Sequence, residues 1–311
     1  MRAFFLNPDD MKFEMREAPA PRPAANQLLV RVRAAGLNRG EFLRHGLTKP
    51  GPAKIGGTEG AGEVESTGER VMGRLPGSFA EYAVMDASDA IAVPAGLSWE
   101  EAAAIPLTFL VVYDMLVQQG SLKKDEWLLI AGASAGVGVA ALLAAKAIGA
   151  KVIGTSGSDD KLKKLTGLGL DVAIRTRNPD FSKKVLDATG GKGADLAVNN
   201  VGGSVFAECV KSLGYEGRLA TVGYVDGVMK GEMDIEALHS KRLKLFGVSN
   251  KMRNAAQRGV TVEGFKRDFL PLFASGKLKP VIDRVYDFQD LPAAKARMEA
   301  DAHVGKIVLR I

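Results

Sequence analysis

The run Gly132-Ala-Ser-Ala-Gly136-Val-Gly138 carries the clearest chemistry in this 311-residue chain. The apolar stretch Trp127-Leu-Leu-Ile leads into it, and residues 139–149, rich in Ala and Leu at amphipathic helical spacing, follow it. A buried strand, a glycine turn and a helix start, in that order, aim backbone N–H groups and the positive end of a helix at an anion. A pyrophosphate is held in this way. Ser134, Ala135, Gly136, Val137 and Gly138 are therefore expected at the phosphates. Gly136 would let the backbone approach them, and Gly138 would let the helix pack closely on the sheet. A second apolar strand at residues 151–155 lies at the distance a dinucleotide-binding unit requires, so dinucleotide binding outweighs a plain packing turn.

The end of that second strand selects the dinucleotide. A site specific for NAD places a carboxylate there to accept both ribose hydroxyls. This chain has Thr155-Ser156-Gly157-Ser158 instead, with Lys161 within helical reach and Arg175 and Arg177 at the end of the third strand. Small hydroxyl residues and cations accommodate a 2′-phosphate, so NADPH is the expected cofactor, with Ser156, Gly157, Lys161 and Arg175 among its contacts. Asp159 and Asp160 are expected to cap the next helix.

These residues need a scaffold. Strand-like runs at 127–130, 151–155, 171–174, 194–198, 218–222 and 243–248 alternate with helical segments, the pattern of a doubly wound parallel sheet of the α/β class with six strands. The first hundred residues read differently, as short runs at 28–33, 63–65, 70–72 and 79–85 broken by Gly and Pro, and predict an irregular, mostly antiparallel β domain. Ser98-Trp-Glu-Glu101 is a capping box opening a helical stretch that runs to about residue 120. After about residue 249 come a helical stretch through Phe265, Phe269, Leu272 and Phe273, a strand at 281–286, a helix at 293–299 and a last strand at 306–311. This tail is too short for a domain and is expected to pack on the N-terminal one. The expected division is 1–110 with 249–311, and 111–248.

Composition places the chain among ordinary globular proteins, with 46% hydrophobic and 25% charged residues. No apolar run reaches the ~18 residues of a membrane span, and the N-terminal MRAFFLNPDD reads as a first strand rather than a signal peptide. The single cysteine, Cys209, excludes an internal disulfide and fits a reducing, cytoplasmic location. A net charge of +6 suits an anionic cofactor or substrate. Residues 237–262 contain no acid but carry Lys241, Arg242, Lys244, Lys251, Arg253 and Arg258. With Phe246 the one aromatic among them, the stacking that nucleic acid would want is missing, so a solvated rim is the plainer expectation.

Taken in order, these pieces resemble the medium-chain dehydrogenase/reductase superfamily and, within it, the zinc-independent quinone oxidoreductases related to zeta-crystallin. The markers are Ala35-Gly-Leu-Asn38 with Glu41, Gly57-Thr-Glu-Gly-Ala-Gly62, Gly77-Ser-Phe-Ala-Glu-Tyr82, Ala104-Ile-Pro-Leu-Thr108, the turn at Gly132–Gly138, Val201-Gly-Gly203, Gly217-Arg-Leu219 and His303-Val-Gly-Lys-Ile-Val-Leu309. The resemblance spans essentially the whole chain. It implies a GroES-like β domain plus a Rossmann domain, an active site in the cleft between them, and a homodimer or homotetramer. It also implies cofactor contacts at Val201, Gly223 and Tyr224, with Ser249, Lys251 and the rest of 249–253 over the cofactor, where they could attract an acidic acyl thioester.

A catalytic zinc needs three ligands from Cys, His or carboxylate. Zinc-dependent relatives have Cys where this chain has Asn38 and His where it has Thr58, and His45, His239 and His303 lie in no ligand pattern. The resemblance thus implies zinc-independent hydride transfer from NADPH to a quinone or to the β-carbon of an α,β-unsaturated carbonyl. Asn38 would be the donor to the charge developing on the substrate oxygen. No general acid is visible, which leaves water as the proton source. The chain departs from the family in four places. It lacks the pocket Tyr in residues 46–55, has Val111 for the second Thr of Leu-Thr-x-x-Thr, is shorter over residues 64–71, and has Ala135 where glycine is common. The first two changes reshape the substrate pocket. The alternatives are an enoyl- or acrylyl-thioester reductase and, in another class, an NADPH-binding sensor or crystallin-like protein with little turnover.

Overall fold

Alternation of apolar and basic residues makes Gln27–Gly36 a strand with Val30, Val32 and Ala34 buried and Arg31 exposed. In the computed structural model, which describes residues 1–42 and 51–311, that strand is the centre of the first unit. It pairs antiparallel with Glu59–Val64, with Tyr82–Asp86 and with the last strand of the chain, Lys306–Arg310. Arg70–Arg74 and Ile91–Ala92 extend this sheet on one side, and Ile282–Asp287 extends it on the other by parallel pairing with the last strand. A smaller sheet has Arg2–Leu6 between Phe13–Glu17 and Lys54–Ile55. Phe4, Phe42, Phe79 and Phe288 gather on Ile307 and Leu309 in one core, and Val30, Val32, Leu75 and Met85 in another. The C-terminal tail is thus woven into the N-terminal unit through its sheet.

This unit comprises Met1–Leu110 and Asn254–Ile311, and Val111–Arg253 form the second. Residues 249–253, expected with the first unit, belong to the second. Arg253 there reaches Asp114, 3.5 Å away, in the π-helical turn Asp114–Gln118.

In the second unit six apolar runs form parallel strands: β1 (Trp127–Ala131), β2 (Lys151–Ser156), β3 (Val172–Arg175), β4 (Ala194–Asn199), β5 (Leu213–Thr221) and β6 (Lys244–Gly247). Their spatial order is β3-β2-β1-β4-β5-β6. The chain reverses direction across the sheet between β1 and β4, which opens a crevice at the strands' C-terminal ends, the place where such sheets bind dinucleotides. Helix α1 (Gly136–Ile148) follows β1, and α2 (Asp159–Gly167) follows β2. Leu129, Ile153, Ala197 and Leu219 of the central strands pack in one core with Phe181, Val210 and Leu213. No helix among the described residues is long and apolar enough to cross a membrane.

Cys209 sits in that core, fully buried. Burial, with a smaller push from Glu208, raises its thiol to about 12. The thiolate is the reactive form, so a thiol reagent at neutral pH is expected to leave the native chain unlabelled and to label one site per chain in denaturant. Rapid labelling of the native protein would contradict this placement.

Candidate functional site

Two clusters of functional groups stand out, one in each unit. In the second unit the chain leaves β1 through Gly132, whose φ of +76° is open to glycine at little cost. Its N–H donates to the Thr155 hydroxyl (3.1 Å), and the Ala133 N–H donates to the Thr155 carbonyl (2.9 Å), so the turn is stapled to the end of β2. Ala135 is the N-cap of α1 in an extended conformation (φ −67°, ψ 159°). That geometry needs no glycine and accounts for alanine at this position. No side chain caps α1 and no acid lies in its first turn, which leaves its first N–H groups for an anion. A Cβ on Gly138 would stand 2.7 Å from the carbonyl oxygens of both Gly132 and Ala133. Helix α1 can therefore approach the strand end this closely only with glycine there.

At the end of β2, Ser156 is buried and its hydroxyl accepts from the Ser158 N–H at 3.4 Å. The N-cap of α2 is Ser158, whose hydroxyl accepts from the Lys161 N–H. Asp159 and Asp160, expected as caps, instead occupy the first helical turn, because Ser158 already has the extended backbone a cap requires. Arg175 turns to Asp159 (3.0 Å), so part of its charge is engaged in a surface pair. Arg177 lies over Gly157 instead: a Cβ there would meet the Arg177 side chain at 2.8–3.2 Å. Lys161 is half-buried on α2.

Beyond β4, the Asn199 side chain accepts from the N–H groups of Val201 and Gly202 and donates to the Gly202 carbonyl, each at 2.9 Å. This fixes the backbone that carries Val201. The neighbouring Asn200 is buried, and its amide nitrogen has no hydrogen-bond partner, which a native fold rarely leaves without reason. Gly223 and Tyr224 line a cavity of about 190 Å³ at the ends of β4 and β5 with Asn199, Gly202 and Thr221. Ser249 and Lys251 form an exposed turn in which the Lys251 N–H donates to the Ser249 hydroxyl. Residues 134–138, 156–157, 201 and 223 thus lie at the C-terminal ends of four strands, and Arg175 stands opposite Ser156 in the register of β2 and β3. A glycine cradle beside an orphaned amide fits a dinucleotide. Arg177 stands near the place the sequence gives it beside Arg175, whereas Asn199 and Asn200 carry no signal in the sequence, since an asparagine at a strand end looks like ordinary turn chemistry.

In the first unit, Asn38 precedes the 3₁₀ turn Arg39–Phe42, Thr58 and Glu59 enter a central strand, and Lys306 starts the last one. Lys306 donates its three protons to the Leu37 carbonyl (3.0 Å), the Asn38 side-chain oxygen (2.9 Å) and Glu59. Glu59 also accepts from the Asn38 amide (2.8 Å) and the Leu107 N–H (2.7 Å). The second Asn38 amide proton points to the Thr58 hydroxyl (3.3 Å). Thr58 is hydrogen bonded to Glu41, whose other oxygen accepts from the Asn38 backbone N–H (3.1 Å). Asn38 is thereby held in one orientation with both amide protons engaged. Donating to a substrate oxygen would require it to exchange the longer bond, the one to Thr58.

Glu41, Glu59 and Lys306 are all buried, at 4%, 0% and 5% exposure, so that here two covered carboxyls lie close to one covered ammonium. Burial pushes the Glu41 carboxyl from 4.5 up to about 7 against the pull of Thr58, the Asn38 N–H and Lys306, and Glu59 adds to the rise. This donor set does not suit zinc, since Asn38 and Thr58 offer neither thiolate nor imidazole and Glu59 is taken by the Lys306 ammonium. Among the described residues no three His, Cys, Asp or Glu side chains could hold a metal ion. His239 is exposed on the helix Ile235–Ser240, His303 is buried, and His45 lies outside the described residues, as do 46–50 of the segment where relatives carry the pocket Tyr.

The basic stretch is no continuous rim. Arg253 pairs with Asp114, Arg258 lies 3.7 and 3.6 Å from Asp86 and Asp89, Arg242 lies 3.4 Å from Glu216, and Lys241 donates to the Leu213 carbonyl. The Arg253 and Arg258 side chains are largely buried, because acids distant in sequence draw them inward.

Two families match the chain: the alcohol dehydrogenase GroES-like domain over residues 24–95, and zinc-binding dehydrogenase over residues 136–261. Among solved structures, the quinone oxidoreductase from Thermus thermophilus, determined alone and in complex with NADPH, is 28% identical and superposes with a TM-score of 0.88 over 100% of both chains. Acryloyl-coenzyme A reductase of Sulfurisphaera tokodaii is 26% identical, again over 100% of both chains. A phenolphthiocerol/phthiocerol polyketide synthase of Mycobacterium tuberculosis is 30% identical over 309 residues, 96% of this chain. The chain spans only 14% of that much longer protein.

The buried Glu41 makes a stability prediction. Its folded pKa lies above its unfolded value, so the stability it contributes is full below about 4.5 and is lost as pH rises through about 7. Between about pH 5 and about pH 8 the melting temperature of the wild type is expected to fall more steeply than that of Glu41→Gln, read by circular dichroism. Parallel pH slopes for the two proteins would refute a raised Glu41.

Proposed function

The chain belongs to the medium-chain dehydrogenase/reductase superfamily, on its quinone-oxidoreductase-like branch, and we propose that it is an NADPH-dependent, zinc-independent reductase of quinones or α,β-unsaturated carbonyls. The observation that carries this reading is the end of β2, where Ser156 and an arginine lying over Gly157 stand in place of the carboxylate of an NAD site. Bound NADPH supplies a hydride from C4 of its nicotinamide. The chain's own part begins with the turn Gly132–Gly138, whose backbone N–H groups hold the pyrophosphate. Ser156, Lys161 and Arg177 meet the 2′-phosphate, with Arg175 a lesser contact because Asp159 already holds it. Val201, Gly223 and Tyr224 flank the rest of the cofactor, with Ser249 and Lys251 over it. Asn38 donates to the substrate oxygen as negative charge develops there.

The likeness to an acryloyl-coenzyme A reductase over both full chains favours, as a second reading, an enoyl thioester as the acceptor. The edge strand β6 pairs with β5 alone among the described strands, and Leu245 on it and Tyr215 on β5 are exposed. Such an edge supports assembly into a homodimer or homotetramer. Sedimentation is then expected to give two or four times the 33.0 kDa chain mass rather than one.

Oxidation of NADPH is expected with at least one of 1,4-benzoquinone, 9,10-phenanthrenequinone, an alkenal or crotonyl thioester. Tight NADPH binding with no turnover of any of them would favour a sensor or crystallin-like protein. Arg177→Ala is expected to weaken NADPH about tenfold, the loss of one charge-assisted contact, and to leave NADH unchanged. NADH bound by the wild type as tightly as NADPH would refute the reading of β2.

A further inference from the structure

Reduction of an enone or a quinone ends with a proton, and the sequence offers no acid for it. The polar cluster of the first unit contains one. Among its described groups, Glu41 and Glu59 are both buried, and Lys306 lies against Glu59. Glu59 accepts from the ammonium, an Asn38 amide proton and the Leu107 N–H. Glu41 accepts from the Asn38 backbone N–H and is also bonded to the Thr58 hydroxyl, a group that can either give it a proton or take one from it.

We propose that Glu41 and Thr58 form a proton relay, in which the Thr58 hydroxyl protonates the reduced substrate and is itself re-protonated by Glu41. A hydroxyl has one proton to donate and two sites that accept. The Thr58 oxygen accepts from the Asn38 amide and is hydrogen bonded to Glu41. When Glu41 is the carboxylate, Thr58 gives it its only proton. When Glu41 is the acid and donates, Thr58 accepts from it and its own proton points elsewhere, whether Asn38 keeps its bond to the Thr58 oxygen or turns to the substrate. Thr58 and Asn38 are half-buried whereas Glu41 is covered, so Thr58 is the outer member of the pair. Among the described residues Asn38 and Thr58 face Glu41, with Lys306 and Glu59 acting at longer range, and burial keeps the acid form populated near neutrality.

This inference rests on the reductase reading above. Hydride from NADPH adds to the β-carbon of an enone and leaves an enolate, or adds to a quinone and leaves a hydroquinone anion. The Thr58 O–H bond breaks as a C–H bond forms at the α-carbon, or an O–H bond at the quinone oxygen. The Glu41 proton moves to the Thr58 oxygen, and the Glu41 carboxylate regains a proton from water after product leaves. Thr58 is the catalytic residue of the pair, and Glu41 acts through it.

The test compares wild type, Glu41→Gln, Glu41→Asp, Thr58→Val and Thr58→Ser, with kcat measured across pH in H₂O and D₂O and NADPH affinity measured by fluorescence. Wild-type kcat is expected to fall as pH rises through about 7. Glu41→Gln and Thr58→Val should each lower kcat about 10²-fold, lose that pH dependence and retain NADPH affinity. Glu41→Asp and Thr58→Ser, which keep the acid and the hydroxyl, should restore part of the rate. Wild-type turnover with Glu41→Gln at the same kcat and pH profile overturns the relay and leaves the reductase reading standing. If Glu41→Gln does not fold, Thr58→Val matching Thr58→Ser in rate and pH profile overturns it equally. No turnover by the wild type with any acceptor overturns the reductase reading and the relay with it.

Discussion

The ion pair between Glu59 and Lys306 ties together positions 247 residues apart in sequence and is buried on both sides. Lys306 opens the last strand, and that strand pairs with residues 34–36 of the central one, so the pair sits where the C-terminal tail is laid into the N-terminal sheet. A buried pair of this kind adds little net stability against an apolar substitute, but removing one partner strands a charge at about 3–5 kcal/mol. The Lys306 ammonium satisfies a backbone carbonyl, Asn38 and Glu59 together, and this sets the register in which the tail must return.

From that pair the first cluster follows step by step. With Lys306 on one side and Glu59 on the other, the Asn38 amide can point only one way. Its second proton then fixes Thr58, and Thr58 faces Glu41. Each group is oriented by its neighbour, and burial holds a proton on Glu41 near neutrality. A metal ion at this place would have to displace the ammonium. The arrangement instead sets a buried carboxyl against the hydroxyl of a half-buried threonine.

The second unit solves a different problem with mostly neutral groups. Thr155 staples the glycine turn to β2, Gly138 lets α1 close on the strand, and Asn199 holds the backbone around Val201. Backbone carbonyls and N–H groups thus line the strand ends, with Arg177 over Gly157 at the end of β2 and the Asp226 carboxylate against Gly202 beyond β4. The basic residues that follow β6 serve mainly to pin the chain, through Arg253 to Asp114 in this unit and through Arg258 to Asp86 and Asp89 in the other.

The sequence by itself determined whatever is local. Apolar periodicity set the six parallel strands, the glycine turn announced itself by spacing alone, and the Ser98–Glu101 capping box formed as its residues require. These features depend on neighbours within a few positions, whose preferences the chain states directly. The tertiary structure decided everything that depends on distant partners. Arg175 paired with Asp159, Arg177 came to lie over Gly157, and Ser158 displaced two aspartates as the helix cap. Above all, Glu41, Thr58, Glu59 and Lys306 became one cluster. A carboxyl's proton affinity depends on its burial and on the charges around it, and only the folded sheet brings those charges to Glu41.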